Sequence, residues 1–284
     1  AIIKANAYGH GDVMVAKTLE ENGVRFFGVA TLDEALNLRL KGITSEILVL
    51  GYVAYEDLGI CLENQLTLSA LSYEWIKGLP STKGLKLHMK VNTGLNRYGV
   101  SPSDVNDALK LLDSKECDVE GLFTHFISSD EKDSPLTPQQ YELFVDTLNK
   151  TDRSFKWVHA SNSGAVANFP TPHCNAVRIG LSLYGYSDYE VDLKPVMRLV
   201  THIHDVKKIA KGQQIGYNAT YTTQADEWVG TLSIGYADGF NRFFQGANCY
   251  VEGSYCEFVG RISMDLSVIK LDKDHVGFAK DDIL

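Results

Sequence analysis

The chain has 284 residues, of which 44% are hydrophobic and 22% charged, a composition typical of a globular protein with one large domain or two. Its formal net charge of -9 gives no electrostatic reason to bind nucleic acid or an anionic membrane, so we expect neither as a partner. Five scattered cysteines without a C-x-x-C pair are typical of buried thiols in the cytoplasm and not of a disulfide framework. The sequence has no 18-residue apolar stretch and no leader-like N-terminus. Both ends have the character of strand interiors, so we expect the protein to continue beyond them.

Short apolar runs alternate with segments of helical periodicity as far as about residue 190. The predicted strands are residues 1–4, 26–30, 46–51, 66–71, 86–91, 119–126, 157–162 and 176–180. Between them we predict helices that include residues 12–22, 32–41, 102–115 and 138–149. Thr31 and Thr137 are residue types that begin helices, and an acidic pair and a proline follow them, respectively.

Eight strands with intervening helices indicate an α/β fold in which residues 1–194 form a (β/α)8 TIM-type barrel. The alternation alone fits a doubly wound sheet nearly as well. After residue 195 the predicted strands, at 200–207, 227–234, 249–251, 257–259 and 266–271, have little helix between them. We therefore expect residues 195–284 to form a smaller, mostly-β domain that is incomplete at its end.

Reactive groups of a parallel barrel lie at the carboxyl ends of its strands. Reading those ends in chain order gives Lys4, Lys90, Arg97, His125, Asn162-Ser163-Gly164 and Arg178-Ile179-Gly180. A lone Lys4 is more often a surface lysine with its amine in solvent, but a desolvated lysine also forms Schiff bases with aldehydes. Ser163 sits where a helix begins, which suits either plain capping or a phosphate. A lysine and a phosphate site on one rim together predict pyridoxal phosphate.

His202 and His204 form an H-x-H pair on one face of a predicted strand, but no third ligand accompanies them. The sequence therefore predicts no metal site.

Eight segments then point to one family. They are A-I-I-K-A-N-A-Y-G-H-G (1–11), K-V-N-T-G-L-N-R-Y-G (90–99), G-L-F-T-H-F (121–126), H-A-S-N-S (159–163), V-R-I-G (177–180), G-Y-N-A-T-Y (216–221), G-Y-A-D-G (235–239) and G-R-I-S-M-D (260–265). In content and order they resemble the conserved blocks of the alanine racemase family, and the resemblance covers essentially the whole chain.

The resemblance implies a role for each matching residue. Lys4 would bind the cofactor covalently and act as one base, and Tyr217, from the other subunit of a homodimer, would be the second base. Other expected cofactor contacts are Tyr8, Asn162, Ser163, Gly180 and Leu181 near the phosphate, Arg178 at the pyridine nitrogen, and His125 between the cofactor and Tyr217. Expected substrate contacts are Arg97, Met264, Asp265 and Tyr236. Lys90 would be carbamylated, as in some relatives, and would position Arg97.

Two bases on opposite faces suit racemisation, because a single base mostly returns the proton to the face it came from. Arginine cannot accept a proton, so Arg178 leaves the cofactor ring a weaker electron sink, which favours a racemase over a decarboxylase. Asn92, Ile179 and Asn218 depart from the residues common in the family, and Asn218 directly follows the expected second base.

We therefore expect a cytoplasmic enzyme that converts L-alanine to D-alanine for peptidoglycan precursors, as a homodimer with the active site at the subunit interface. A serine-preferring or broad-specificity racemase of the same fold and a non-catalytic pyridoxal-phosphate carrier are the alternatives. The mostly-β domain with Tyr217 counts against the carrier.

Overall fold

A computed structural model describes residues 1–187, 189 and 191–272. These residues divide after Val196 into two compact units. Within the described residues, no helix has the length and apolar character needed to cross a membrane.

The first unit alternates strands and helices along the chain. Its strands are β1 (Phe26–Val29), β2 (Glu46–Val49), β3 (Thr67–Ala70), β4 (Lys86–Lys90), β5 (Asp118–Phe123) and β6 (Trp157–His159). Its helical segments are α1 (Lys4–Tyr8), α2 (Asp12–Glu21), α3 (Leu32–Leu40), α4 (Leu58–Glu63), α5 (Tyr73–Gly78), α6 (Val105–Ser114), α7 (Leu136–Asn149) and α8 (Ser163–Asn168), with single 3-10 turns at Tyr55–Asp57, Pro102–Asp104 and Leu181–Tyr184.

Strands β1 to β6 form one parallel sheet in chain order, as a barrel requires. The first and eighth predicted strands contribute one bridge each, Ile2 to Gly28 and Ala176 to His159. The Ile2 N–H donates to the Ile179 carbonyl at 2.8 Å, which joins the two ends of the sheet. The barrel prediction is confirmed, with six regular strands and two that are reduced to single bridges.

The strands are buried on both faces because helices cover one side and the barrel interior fills the other. Every residue of β3, and all but the first of β2 and of β4, is buried. Such continuous apolar runs are typical of parallel sheets. The core that results combines strand residues such as Val49 and Leu87 with helix residues such as Leu112 and Phe144.

Two local predictions in this unit are wrong. Lys4 does not end a strand, since regular pairing stops at Ile2 and Lys4 begins α1. Thr137 does not begin a helix, because α7 starts one residue earlier with Pro135 as its N-cap, and the buried Thr137 hydroxyl has no hydrogen-bond partner. Thr31, in contrast, is the N-cap of α3, where its side chain and that of Glu34 form a capping box.

The second unit is mostly β. Its strands are β7 (Ile203–Ile209), β8 (Gln214–Ile215), β9 (Tyr221–Thr222), β10 (Glu227–Leu232), β11 (Asn248–Val251), β12 (Ser254–Glu257) and β13 (Ser267–Leu271). Short 3-10 turns lie at Tyr217–Ala219, Tyr236–Asp238 and Arg242–Phe244. Strand β10 pairs antiparallel with both β7 and β13, and the pairs β8–β9 and β11–β12 are also antiparallel. The predicted mostly-β character of this unit is confirmed.

Candidate active site

The carboxyl ends of the barrel strands surround a cavity of about 480 Å³. Every residue of the first unit with a predicted role lines this cavity, namely Lys4, Tyr8, Lys90, Arg97, His125, Asn162, Ser163, Arg178, Gly180 and Leu181. The barrel topology therefore gathers, from distant parts of the sequence, the cations and the small polar residues that the site needs.

The segment that follows Lys4 is a left-handed helical turn. Ala5, Asn6, Ala7 and Tyr8 have φ between 52° and 55°, and ψ of the first three lies between 45° and 52°. An L-residue in this region is destabilised by roughly 1–2 kcal/mol, because its Cβ crowds the following carbonyl oxygen. Strain of this kind persists only where surrounding contacts fix the backbone, and it concentrates at functional sites.

Aromatic side chains pack against this left-handed turn. The His10 Nδ1 donates to the Ala7 carbonyl at 3.0 Å, and the His10 ring stacks on Tyr184 with the centroids 4.5 Å apart. The Tyr184 hydroxyl donates to the Ile2 carbonyl at 3.0 Å, and Tyr8 lies 4.9 Å from Tyr184 between centroids. Burial raises the pKa of both tyrosines, so both hydroxyls stay protonated at neutral pH.

Arg178 is the most constrained cation of the cavity and is only 8% exposed. Its Nη1 donates to His159 Nδ1 at 2.7 Å and to the His159 carbonyl at 3.1 Å. Its Nη2 donates its two hydrogens to the carbonyls of Thr124 at 2.6 Å and Ala160 at 2.8 Å, and lies 3.1 Å from His125 Nδ1. Within the described residues only the Nε–H of this guanidinium has no acceptor. Arg178 can therefore offer one fixed donor to a bound molecule.

The arginine also fixes the protonation of three histidines. Because a guanidinium cannot accept a proton, the Nδ1 atom of His159 must be an acceptor, and the proton of a neutral His159 lies on Nε2. That Nε2 donates to His88 Nδ1 at 2.9 Å. Burial, reinforced by the charge of Arg178, lowers the pKa of His125 to about 3 and that of His159 well below its ordinary value. All three imidazoles are consequently neutral at pH 7, since burial also lowers the pKa of His88 to about 3.

Lys90 lies on the cavity wall between other cations. It is 5% exposed, and its amine is 5.8 Å from the ring centroid of Tyr98 and 5.9 Å from that of Phe123. Burial, together with the charges of Arg97 and Arg178, lowers its pKa to about 8. A minor fraction of this lysine is therefore uncharged and nucleophilic near neutral pH.

Small residues shape the opposite part of the rim. Asn162, not Ser163, caps α8, because the Asn162 Oδ1 accepts from the Ala165 N–H at 3.1 Å. The Ser163 hydroxyl instead accepts from the Gly180 N–H at 3.0 Å. A Cβ at Gly180 would lie 2.6 Å from the Tyr8 hydroxyl oxygen, so a larger residue here would have to displace the Tyr8 side chain. Backbone N–H groups and two hydroxyls thus meet at one place, which suits a phosphate.

Several residues that line the cavity or support its side chains were not predicted from the sequence. Leu50, Gly51 and Phe123 line the cavity, but apolar side chains and glycine carry no chemical signal. His159 stood within a quoted motif without a role, and His88 was not singled out. Both His88 and His159 are histidines within otherwise apolar stretches of predicted strands, and that pattern is the sequence signal that could have identified them.

Tyr217, Tyr236, Met264 and Asp265 belong to the second unit. Within their own unit their loops are neighbours. The Ala237 N–H donates to the Met264 carbonyl at 2.9 Å. A Cβ at Gly216, next to Tyr217, would lie 2.8 Å from the Arg261 nitrogen. The three motifs of this unit therefore pack against one another.

Asn218 has φ of 60° and ψ of 18°, which is left-handed backbone. Asparagine tolerates this region better than other non-glycine residues. The departure predicted at Asn218 is therefore compatible with the loop that carries Tyr217, whose side chain is 67% exposed.

His202 and His204 are both exposed and flank the buried Ile203. Across the described ranges, no three histidine, cysteine, aspartate or glutamate side chains are grouped as a metal ion would need.

Known proteins resemble this chain over most of its length. The family profile described as "Alanine racemase, N-terminal domain" matches residues 1–188, and the one described as "Alanine racemase, C-terminal domain" matches residues 196–283. A relative named alanine racemase from Staphylococcus carnosus is 42% identical over 291 residues, covering 96% of this chain and 74% of the relative.

Solved structures give the same result. The alanine racemase from E. faecalis is 36% identical with a TM-score of 0.88, and the match covers 96% of this chain and 77% of that one. The alanine racemase from Bacillus anthracis, solved with bound L-Ala-P, is also 36% identical with a TM-score of 0.88, over 100% and 77% of the two chains.

Proposed function

Since this chain belongs to the alanine racemase family, we propose that it interconverts L-alanine and D-alanine with pyridoxal phosphate as its cofactor. The observation that carries the proposal is the composition of one cavity wall. A lysine amine, an arginine with a single free N–H and a glycine-lined polar corner all face the same 480 Å³ space.

These three features fit the chemical groups of pyridoxal phosphate. Lys4 supplies the amine that binds an aldehyde, and the Nε–H of Arg178 is the donor left for a ring nitrogen. Tyr8, Ser163, Gly180 and Leu181 would hold the phosphate, and Gly180 keeps that corner open. The Asn162 side chain is occupied by capping and by the Ser129 hydroxyl, so it would contribute by positioning Ser163.

When bound, the cofactor withdraws electrons from the amino acid and acidifies its Cα–H bond. Lys4 would exchange a proton with Cα on one face, and Tyr217, contributed by the other subunit, on the opposite face. His125 would connect the cofactor region with Tyr217. Because Arg178 cannot accept a proton, the ring stays a weaker electron sink than a carboxylate partner would make it. Such a sink suits brief proton removal and return better than decarboxylation.

The substrate carboxylate would be bound by Arg97 and by the backbone of Met264, while Tyr236 and Asp265 would shape the entrance. We also propose that Lys90 carries a carbamate, because a partly uncharged amine reacts with CO2 and the resulting anion would be stabilised by the neighbouring Arg97. A carbamate there would fix the guanidinium that binds substrate.

The remaining proposals concern the cell and the assembly. A second base from another subunit requires a homodimer with the site at the interface. The free cysteines of the described residues, four of the five buried, suit the reducing cytoplasm. D-alanine formed there would supply peptidoglycan precursors. The single substrate partner would be a small amino acid.

Chiral analysis of products from a panel of L-amino acids tests the proposal. We expect D-alanine to form fastest from L-alanine, and Tyr217→Phe to abolish its formation while the protein still binds pyridoxal phosphate. Faster racemisation of serine would assign the serine-preferring alternative. Cofactor binding without any racemisation by the unmodified dimer would contradict the proposal and favour the non-catalytic carrier.

A further inference from the structure

Glu34, in the first turn of α3, binds two separate stretches of backbone. Its Oε1 accepts from the Ala5 N–H at 2.6 Å. Its Oε2 accepts from the Ala30 N–H at 2.7 Å and from the Thr31 N–H at 3.3 Å. A capping box explains only the contact with Thr31. The two shorter contacts, with the Ala5 and Ala30 N–H groups, are therefore not explained by helix capping.

Those two contacts join the strained turn to the cavity wall. Ala5 directly follows Lys4 and is the first residue of the left-handed turn. Ala30 lines the cavity, as Lys4 does. A carboxylate that accepts from backbone N–H groups forms strong, short hydrogen bonds. One side chain thus fixes the backbone on the carboxyl side of Lys4 relative to the end of β1.

Other contacts of the turn do not substitute for Glu34. The His10 Nδ1 binds the Ala7 carbonyl, and the Ala7 N–H donates to the Ile3 carbonyl at 2.9 Å, so both act further along the turn. The Asn6 side chain accepts from the Asp12 N–H at 3.0 Å and faces α2 instead. Among the described residues, the Ala5 N–H has Glu34 as its hydrogen-bond acceptor.

We propose that Glu34 is a positioning residue for Lys4. By holding the Ala5 N–H, it keeps the left-handed turn formed and the lysine amine directed into the cavity before cofactor arrives. This inference rests on the proposed function, in which Lys4 binds pyridoxal phosphate.

The chain offers a matched control for a test. Glu20 also accepts from backbone, at the Thr44 N–H at 3.1 Å and the Ser45 N–H at 2.9 Å, but it does not line the cavity or touch the turn. Glu34→Gln and Glu20→Gln each replace a carboxylate that binds backbone with an amide that has one acceptor atom fewer. Comparable losses of Tm in the two variants are expected.

The first readout needs no cofactor. Amide hydrogen exchange on the cofactor-free protein should become faster in peptides spanning residues 4–9 for Glu34→Gln and remain unchanged there for Glu20→Gln. The second is titration with pyridoxal phosphate, followed by borohydride reduction to count the covalent adduct at Lys4. Affinity should fall about tenfold for Glu34→Gln, the lower end of the value of one charge-assisted hydrogen bond, and stay within about twofold for Glu20→Gln.

A rescue separates positioning from general weakening. Glycine adopts positive φ readily, so Ala5→Gly in the Glu34→Gln background should lower exchange at residues 4–9 and restore much of the affinity. Glu34→Asp keeps the charge on a shorter side chain, so it should show a smaller increase in exchange and a smaller loss of affinity. It replaces Glu34→Gln in the test if the amide variant does not fold.

The proposal is overturned if Glu34→Gln and Glu20→Gln give the same exchange and the same affinity, or if Ala5→Gly restores neither. Failure of the unmodified protein to form any adduct at Lys4 would instead refute the proposed function.

Discussion

Replacement of His159 by leucine tests how Arg178 is held. The substitution keeps the approximate volume of the side chain and removes two hydrogen bonds, one from Arg178 Nη1 at 2.7 Å and one to His88 at 2.9 Å. His159 is 2% exposed, so water cannot replace either partner. The stack of His159 on Phe123, with centroids 4.8 Å apart, is lost as well.

A hydrogen bond to a charged group stabilises a protein by about 1.5–3 kcal/mol, and a neutral one by about 1 kcal/mol. The free energy of unfolding should therefore fall by about 3 kcal/mol, measured by urea denaturation of the cofactor-free protein. A guanidinium that has lost one of its fixed partners directs its Nε–H less well. We expect the affinity for pyridoxal phosphate to fall by roughly 10- to 100-fold, the value of one charge-assisted hydrogen bond.

His159→Asn is the control, because its side-chain oxygen can still accept from Arg178 although the contact with His88 is lost. It should retain most of the cofactor affinity while losing part of the stability. If leucine and asparagine reduce affinity equally, or if leucine leaves it unchanged, the histidine does not orient the arginine and the reasoning is refuted.

Three further outcomes follow from single positions. Gly180→Ala would place a Cβ 2.6 Å from the Tyr8 hydroxyl, so cofactor affinity measured by absorbance titration should drop about tenfold with little change in Tm; an unchanged affinity would count against the phosphate site. The pKa of Lys90 is lowered from 10.5 to about 8, so between these pH values the unfolded chain binds more protons than the folded one. In CO2-free buffer the stability of the protein relative to Lys90→Met should therefore rise by about 3 kcal/mol as pH increases from 8 to 10.5, and a flat difference would contradict the burial argument. Asn218→Val, at φ of 60°, should reduce the free energy of unfolding by about 1–2 kcal/mol, whereas Asn218→Gly should not, as urea denaturation would show; equal losses would argue against the left-handed loop.

The barrel and the membership of its cavity were predictable from sequence because topology determines both. Apolar runs locate strands such as β2 and β4, and parallel strands in a ring must bring their carboxyl ends together. Polar residues at those ends, such as Lys90 and Arg178, then have to meet. No contact between individual side chains was needed for that prediction.

The conformation around Lys4 was not predictable in the same way. A turn of four left-handed residues without glycine contradicts local preference, and only contacts from distant segments, such as Glu34, stabilise it. The prediction that Thr137 begins a helix was wrong for a related reason. Its sequence context is typical of a helix start, but α7 begins at Leu136 and the threonine hydroxyl is buried.

The hydrogen-bonded chain from Arg178 through His159 to His88 was also beyond sequence reasoning. His88 lies between the core residues Leu87 and Met89, and His159 follows the core residue Val158. Burial and not chemistry is therefore the ordinary interpretation of each histidine. The linkage depends on the register of β4 and β6 with β5 between them. Gly121 of β5 leaves the room, since a Cβ there would lie 2.5 Å from the His88 ring.

Exchange of the Cα proton of alanine with deuterium from solvent, followed by NMR together with chiral analysis, tests the claim of two bases most directly. In Tyr217→Phe loaded with pyridoxal phosphate, one enantiomer should still exchange its Cα proton through Lys4 without becoming the other enantiomer. Interconversion of the two enantiomers by that variant at the rate of the unmodified protein would contradict the account.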